Sequence, residues 1–249
     1  MQLEDLMTDA IKQKIDNHFD GLIGDVSLGL DRDGLAVIEK FFRPDALEQM
    51  NAYALGKLDF CTNGKRRIPL VGKDLKGTIF FDMAKSDLLV RISNALLRKF
   101  KYSVAAEDIY PVLNILHGPV CQDGVHSFHF DASFLTAAIP VAMGDRSRVN
   151  RGQFRIYPNV RSFSTNWVLN KFYWNVMKLE VTRRVLAHRY VDFEVGNLYF
   201  FYGFRSYHCT EPLDVDLLRI NCLLNIGGPV FDQMKKKNRR SQAARRARA

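Results

Sequence analysis

Two residues, His129 and Asp131, set the terms for the rest of the chain. They sit in a run rich in Phe, Val and Thr, and in an extended backbone residues i and i+2 share a face, so an imidazole and a carboxylate point the same way. A carboxylate inside a Phe-rich strand is costly unless it is paired or bound to a metal. A second imidazole is available from His208, which follows an aromatic run, residues 198–202, and the turn residue Gly203. Two His and one carboxylate on one side of an ion leave its other positions open, a ligand set that suits non-haem Fe(II).

Other histidines carry less weight. A lone His on an apolar strand is more often a hydrogen-bonded core residue than a ligand, and His18, His117 and His188 stay in that class. His126 faces opposite to His129 in a regular strand and is placed at the lining of a substrate cleft.

Eleven residues beyond His208 stands Arg219, in the otherwise apolar run 217–226. An Arg in mid-strand needs an anion, and its planar fork matches a carboxylate. That anion is either an internal Asp or Glu or the carboxylate of a bound molecule. Asn221 projects from the same face and can donate to the same group.

The elements that must hold these residues are read from periodicity. Apolar positions between Leu3 and Phe19 predict an opening amphipathic helix over 3–19. Residues 33–42 predict a strand, and the following segment to Ala54 a helix, with Pro44 in its first turn. Residues 60–80 hold Gly, Lys and Arg without period and predict a loop able to lie over a cleft. A helix is expected over 86–100, capped by Ser86. From Ile109 the character changes: runs at 109–117, 128–139, 152–157, 191–195, 197–202 and 217–226 are short, β-rich and divided by Gly, Pro, Asp or Asn. Such a series predicts an antiparallel sandwich or barrel, interrupted by one helical segment over 166–180.

Composition bounds the class. The 249 residues, 47% hydrophobic and 12% aromatic, suffice for one sizeable core and exclude a disordered chain. The net charge of +9 is unevenly placed, because eight basic residues between Lys235 and Arg248 leave only +1 for residues 1–234. The body is nearly neutral, and the end is expected to be a solvated basic tail able at most to touch polyanions weakly. Four widely spaced cysteines, Cys61, Cys121, Cys209 and Cys222, make neither a zinc framework nor a disulfide scaffold. No apolar run is long enough to span a bilayer, and the acidic, amphipathic start is unlike a secretory signal, so a cytoplasmic protein is expected.

Taken in order, His129, Asp131, His208 and Arg219 resemble the Fe(II)/2-oxoglutarate-dependent oxygenase superfamily, whose pattern is His-x-Asp/Glu, a distal His and an Arg about ten residues later. The resemblance spans roughly residues 109–229. It implies a mainly β double-stranded β-helix, or jelly roll, supported by helices: one oxygenase domain over 1–234, with helical support over 1–108, a jelly-roll core over 109–230, and the disordered tail at 235–249. It implies Fe(II) held by His129, Asp131 and His208, with Arg219 and Asn221 on the far carboxylate of 2-oxoglutarate, O2 as oxidant and ascorbate as an aid. The catalytic outcome implied is hydroxylation of a small molecule, such as an amino acid or natural-product intermediate. Asn114, Gln122, His126, Arg155 and Tyr157 are the residues expected to line the substrate side, although a core role for Tyr157 fits alternation equally well. The stretches 152–162 and 203–208 are similar to bacterial enzymes that hydroxylate or halogenate free amino acids; halogenases lack the metal carboxylate that Asp131 supplies. Two other readings stay open: an oxygenase acting on a macromolecular or lipid-linked substrate held by the basic tail, and a non-catalytic jelly-roll binding protein.

Overall fold

In the computed structural model, which describes residues 2–58, 67–117, 128–145, 147–164, 166–214 and 216–228, nine strands form two antiparallel sheets. The major sheet has the order β1-β7-β4-β9-β3-β2, from β1 (Leu35–Ile38), β7 (Leu198–Phe201), β4 (Leu135–Ala142), β9 (Leu218–Ile226), β3 (Ile109–His117) and β2 (Arg67–Val71). The minor sheet has the order β6-β5-β8, from β6 (Arg189–Val191), β5 (Phe154–Tyr157) and β8 (Tyr207–Thr210).

Alternation assigns each face of the major sheet its own layer. Leu135, Ala137 and Ile139 of β4, Leu198 and Phe200 of β7, and Ile220, Cys222 and Leu224 of β9 turn toward the helices. There they meet α1 (Asp9–Asp33), α2 (Pro44–Leu55), α3 (Ile79–Ala84) and α4 (Asp87–Leu97) in the largest core cluster, through side chains such as Leu30, Met50, Phe80 and Leu89. Ala138, Tyr199 and Phe201 turn the other way and pack on Phe154, Ile156 and Phe193, with Leu223 at the margin. The space between the sheets is thus lined by residues of opposite parity to those under the helices. This is the mainly β, helix-supported jelly roll that the resemblance implies.

Local chemistry explains the helices. Ser86 caps α4 by accepting from Leu89 N at 3.3 Å, and Leu88, Leu89, Ile92, Leu96 and Leu97 bury one face. Pro44 opens α2 where a missing N–H costs nothing. Gly34, at φ +69°, ends α1 in the left-handed conformation.

Several boundaries differ from those expected. The opening helix is not 3–19: a 3-10 turn at Leu3–Leu6 precedes α1, whose backbone leaves helical geometry at His18 (φ −142°, ψ 37°), next to the expected end, and then resumes to Asp33 because Leu22, Val26 and Leu30 continue the apolar face. Part of the expected loop 60–80 is β2, paired along β3, followed by a 3-10 turn at Gly72–Leu75 and by α3. The run 128–139 is not one strand. Regular pairing begins at Leu135, and ahead of it only a single bridge joins His129 to His208. The helical segment splits into α5 (Trp167–Lys178), capped by Asn166, and α6 (Glu180–Val185). β8 was not among the expected strands. Cys209 and Cys222 are buried free thiols, and burial pushes the Cys209 thiol up to about 12. Cys61, Cys121, Gln122, His126 and the basic tail lie outside the described residues, and among the described ones no helix is long and apolar enough to cross a membrane.

Candidate metal centre

The irregular segment 128–134 is held by backbone bonds to the turn and strand that carry His208. His129 and His208 exchange N–H···O bonds at 2.9 and 3.0 Å, and Asp131 N donates to Gly203 O at 3.0 Å. The strand face that the spacing predicts is therefore produced by one bridge rather than by a ladder. It is enough to bring His129, Asp131 and His208 together, with one potential ligand atom from each lying within 4.8 Å of the others.

The arrangement within the cluster has a definite sense. Asp131 Oδ1 is 3.6 Å from His129 Nε2 and 3.4 Å from His208 Nε2, so one carboxylate oxygen faces both rings. The other, Oδ2, accepts from Thr136 Oγ1 at 2.6 Å. Thr136 is itself 3.0 Å from Ser133 Oγ, which reaches Asn225 at 3.2 Å, and Ser133 and Thr136 are fully buried. His208 Nδ1 lies 2.9 Å from Ser206 O; a carbonyl only accepts, so the ring proton of the neutral form sits on Nδ1 and Nε2 keeps its lone pair. Burial opposes ionisation of Asp131, but the charges and hydrogen bonds of the two imidazoles outweigh it and hold the carboxyl well below its usual range.

This donor set fits Fe(II). Two imidazole nitrogens and one carboxylate oxygen converge from one side, and the second carboxylate oxygen is already engaged, which favours a single Asp131 bond to the ion.

Gly203 and Arg161 also shape the centre. A Cβ on Gly203 would stand 2.2 Å from Asp131 Oδ2 and 2.6 Å from Thr136 Oγ1, so only glycine lets the carboxylate sit where it does. Arg161 is buried with its guanidinium between the rings of Phe130, 3.8 Å away, and Phe204, 4.0 Å away, and its Nε donates to Phe204 O. Phe130 lies between the two ligands of the first loop and Phe204 in the turn before His208, so this side chain joins the two ligand-bearing segments. Desolvation lowers the Arg161 guanidinium to about 10. The sequence signal for Thr136 is a hydroxyl in the apolar strand 135–142, which needs a partner when buried.

Arg219 is almost fully buried on the face of β9 that turns between the sheets, with its guanidinium 5.7 Å from the Phe193 ring. Phe193 stacks on Phe154 at 5.1 Å, and Phe154 lies 5.3 Å from the His208 ring, which places Arg219 and the triad around one aromatic wall. Nη1 donates to Gly152 O. With its amide turned to suit its neighbours, Asn221 accepts from Arg219 Nε and Nη2 at 2.9 Å each and donates to Ile220 O. Asn221 therefore holds the guanidinium, in place of the expected donation to an exogenous carboxylate. Asn114 lies directly across the β3–β9 ladder from Asn221, on the same inter-sheet face.

The other two candidates lie elsewhere. Pairing sets Ile156 opposite His208 and Tyr157 opposite Tyr207, so Arg155 and Tyr157 occupy the face of β5 away from His208. Tyr157 is a core residue there, packed with Phe130, Met177 and Tyr207, and Arg155 donates to its hydroxyl at 2.7 Å and pairs with Glu211 at 3.6 Å. The expectation that both line the substrate side is corrected by strand parity: Phe154 and Ile156 share the face of His208, and Arg155 and Tyr157 take the other.

No family model matches the chain, and no curated protein matches it in sequence. Solved structures do. A prolyl-4-hydroxylase from Pseudomonas putida superposes with a TM-score of 0.51 over 83% of this chain and 100% of its own, at 14% identity. The non-haem α-ketoglutarate-dependent epimerase SnoN of nogalamycin biosynthesis superposes with a TM-score of 0.52 over 82% of this chain and 80% of its own, at 11% identity. The same epimerase in complex with Fe3+, α-ketoglutarate and nogalamycin RO gives 0.54, at 12% identity over 82% of this chain and 83% of its own. The chain shares their fold.

Proposed function

We propose that the protein is an Fe(II)- and 2-oxoglutarate-dependent oxygenase that hydroxylates an unactivated C–H bond of a small molecule. The observation that carries this reading is the convergence of His129, Asp131 and His208 on one potential ion position, with Arg219 buried on the same inter-sheet face. Fe(II) held by His129, Asp131 and His208 would supply the oxidising chemistry, with O2 and 2-oxoglutarate as co-reactants and succinate and CO2 as co-products.

The chain's own residues account for the rest. His208, its Nδ1 proton spent on Ser206, presents Nε2 to the ion; His129 presents its own Nε2 from the facing segment; and Asp131 offers Oδ1 while Thr136 holds Oδ2. Arg219, its guanidinium fixed in orientation by Asn221 and Gly152, supplies the buried positive charge that suits the far carboxylate of 2-oxoglutarate. Phe154, Phe193, Phe201 and Tyr199 keep the space between the sheets apolar, which strengthens each charge contact made in it. Asn114 supplies an amide on the same wall. A small molecule as substrate has a parallel in the epimerase, whose structure holds a nogalamycin species.

With Fe(II) and ascorbate, the purified protein is expected to turn 2-oxoglutarate into succinate, slowly even without its prime substrate. Arg219→Ala is expected to abolish saturable binding of 2-oxoglutarate while leaving Fe(II) binding in place. Succinate production that persists after His129→Ala and Asp131→Ala are combined would overturn the reading.

A further inference from the structure

Between β5 and β6 the chain leaves the sheets and returns through α5 and α6, and apolar exposure concentrates on this excursion. Seven of the thirteen large apolar side chains that stay exposed among the described residues fall within 168–190. In α5 Val168 and Phe172, one helical turn apart, are 68 and 59% exposed, and Leu179, the extended residue that joins α5 to α6, is 55% exposed. The opposite face is the packed one, with Met177 buried and Trp174 turned toward Phe130 at 6.3 Å between ring centroids. In α6, Val181 and Val185 are 66 and 76% exposed. Side chains so exposed stand on a ridge, whereas the walls of a groove are half-buried. A partner for a ridge must yield around it.

Charge narrows the partner. Residues 166–190 contain Lys171, Lys178, Arg183, Arg184 and Arg189 against one acid, Glu180; Arg184 binds that acid at 2.6 Å, and Arg189, in β6, binds Asp33 of α1 at 3.0 Å. By sequence this stretch is therefore +4, while residues 1–234 together are +1, so the rest of the body is net negative and the apolar ridge lies in a net basic stretch. Arg183 turns inward over the Phe128 ring at 5.1 Å, and Lys178 lies 5.3 Å from the Trp174 ring. Long basic stems beside exposed Phe, Leu and Val, with Trp and Tyr close by, are what a helix lying in a headgroup layer requires: the apolar side chains enter the acyl boundary and the cations stay with phosphate.

We infer that α5 and α6 form a docking surface for an anionic lipid bilayer. The face of α5 opposite the ridge packs on Phe130 of the metal loop, so docking would place a membrane on the outer side of the helix that backs His129 and Asp131.

The test uses the full chain and vesicles, one set of phosphatidylcholine alone and one of equal parts phosphatidylcholine and phosphatidylglycerol. Sedimentation with the anionic vesicles is expected to exceed that with the neutral ones by about tenfold and to fall as salt is raised. Phe172→Glu combined with Val185→Glu is expected to remove this binding, whereas Phe172→Leu combined with Val185→Leu retains it; far-UV circular dichroism checks that both variants are folded. Equal binding to both vesicle sets, or binding by the Glu variant as strong as by the parent, overturns the inference. So does light scattering that shows a parent dimer and a monomeric Glu variant, since a second copy then covers the ridge. None of these readouts depends on iron or 2-oxoglutarate.

Discussion

At the scale of single residues, the orientation of Asp131 rests on one hydroxyl. Thr136→Val keeps the volume of the side chain and removes the donor to Oδ2, leaving that oxygen buried without its partner. Metal affinity is expected to fall about tenfold, the scale typical of second-sphere partners, and Thr136→Ser to restore most of it. Titration of the Co(II)-substituted protein, followed by its visible ligand-field absorption, measures both affinity and coordination symmetry. A change of affinity with an unaltered spectrum would show that Thr136 supports the fold but does not aim the carboxylate. The Arg219–Asn221 pair illustrates what residue types cannot reveal. That the two share a face follows from alternation, but which one donates depends on the amide's orientation, and here Asn221 accepts.

At the scale of elements, two ligand-bearing segments with little regular structure are joined by Arg161. Its guanidinium stacks on Phe130 and Phe204, and its backbone N–H donates to Arg205 O at 3.3 Å while Arg205 Nε returns a bond to Arg161 O at 3.1 Å. Arg161→Ala is expected to cost about 2 kcal/mol, because both stacked faces are desolvated. That corresponds to a drop of about 6 °C in Tm, read by differential scanning calorimetry. Arg161→Lys is expected to recover little, since an ammonium has no plane to stack. The sequence disclosed the charged residues of the site because a His, an Asp or an Arg inside an apolar run demands compensation wherever it ends up. It disclosed the β-rich series and the capped helix after Ser86 for similarly local reasons. It did not disclose that residues 128–134 are irregular, that 67–71 form a strand, or which face of β5 looks inward. Those depend on partners distant along the chain: β3 for the first strand residues 67–71, and His208 and Gly203 for the metal loop.

At the scale of the whole molecule, metal and stability are linked. The triad joins residues 79 positions apart, between His129 and His208, so an ion that binds only the folded state must stabilise it. Anaerobic addition of Fe(II), or of Co(II) in air, to about 100 times Kd is expected to add about 2.7 kcal/mol, seen as a higher Tm. The gain should vanish in the protein carrying both His129→Ala and Asp131→Ala, and a shift that survives would place the ion elsewhere. The bilayer inference belongs to this scale too, because it depends on how charge is divided over the molecule.

The last of the nine described strands, β9, does not close an edge of the major sheet; it lies in its middle, between β4 and β3. During synthesis on the ribosome, every other strand therefore emerges before the one that unites them. Until residues 218–226 are free of the exit tunnel, β4 and β3 each offer an unsatisfied row of peptide groups to any passing chain. Nascent copies stalled or truncated before that point should be prone to co-aggregate and dependent on chaperones. The guanidinium that β9 carries reaches its place at the same moment that the sheet becomes whole.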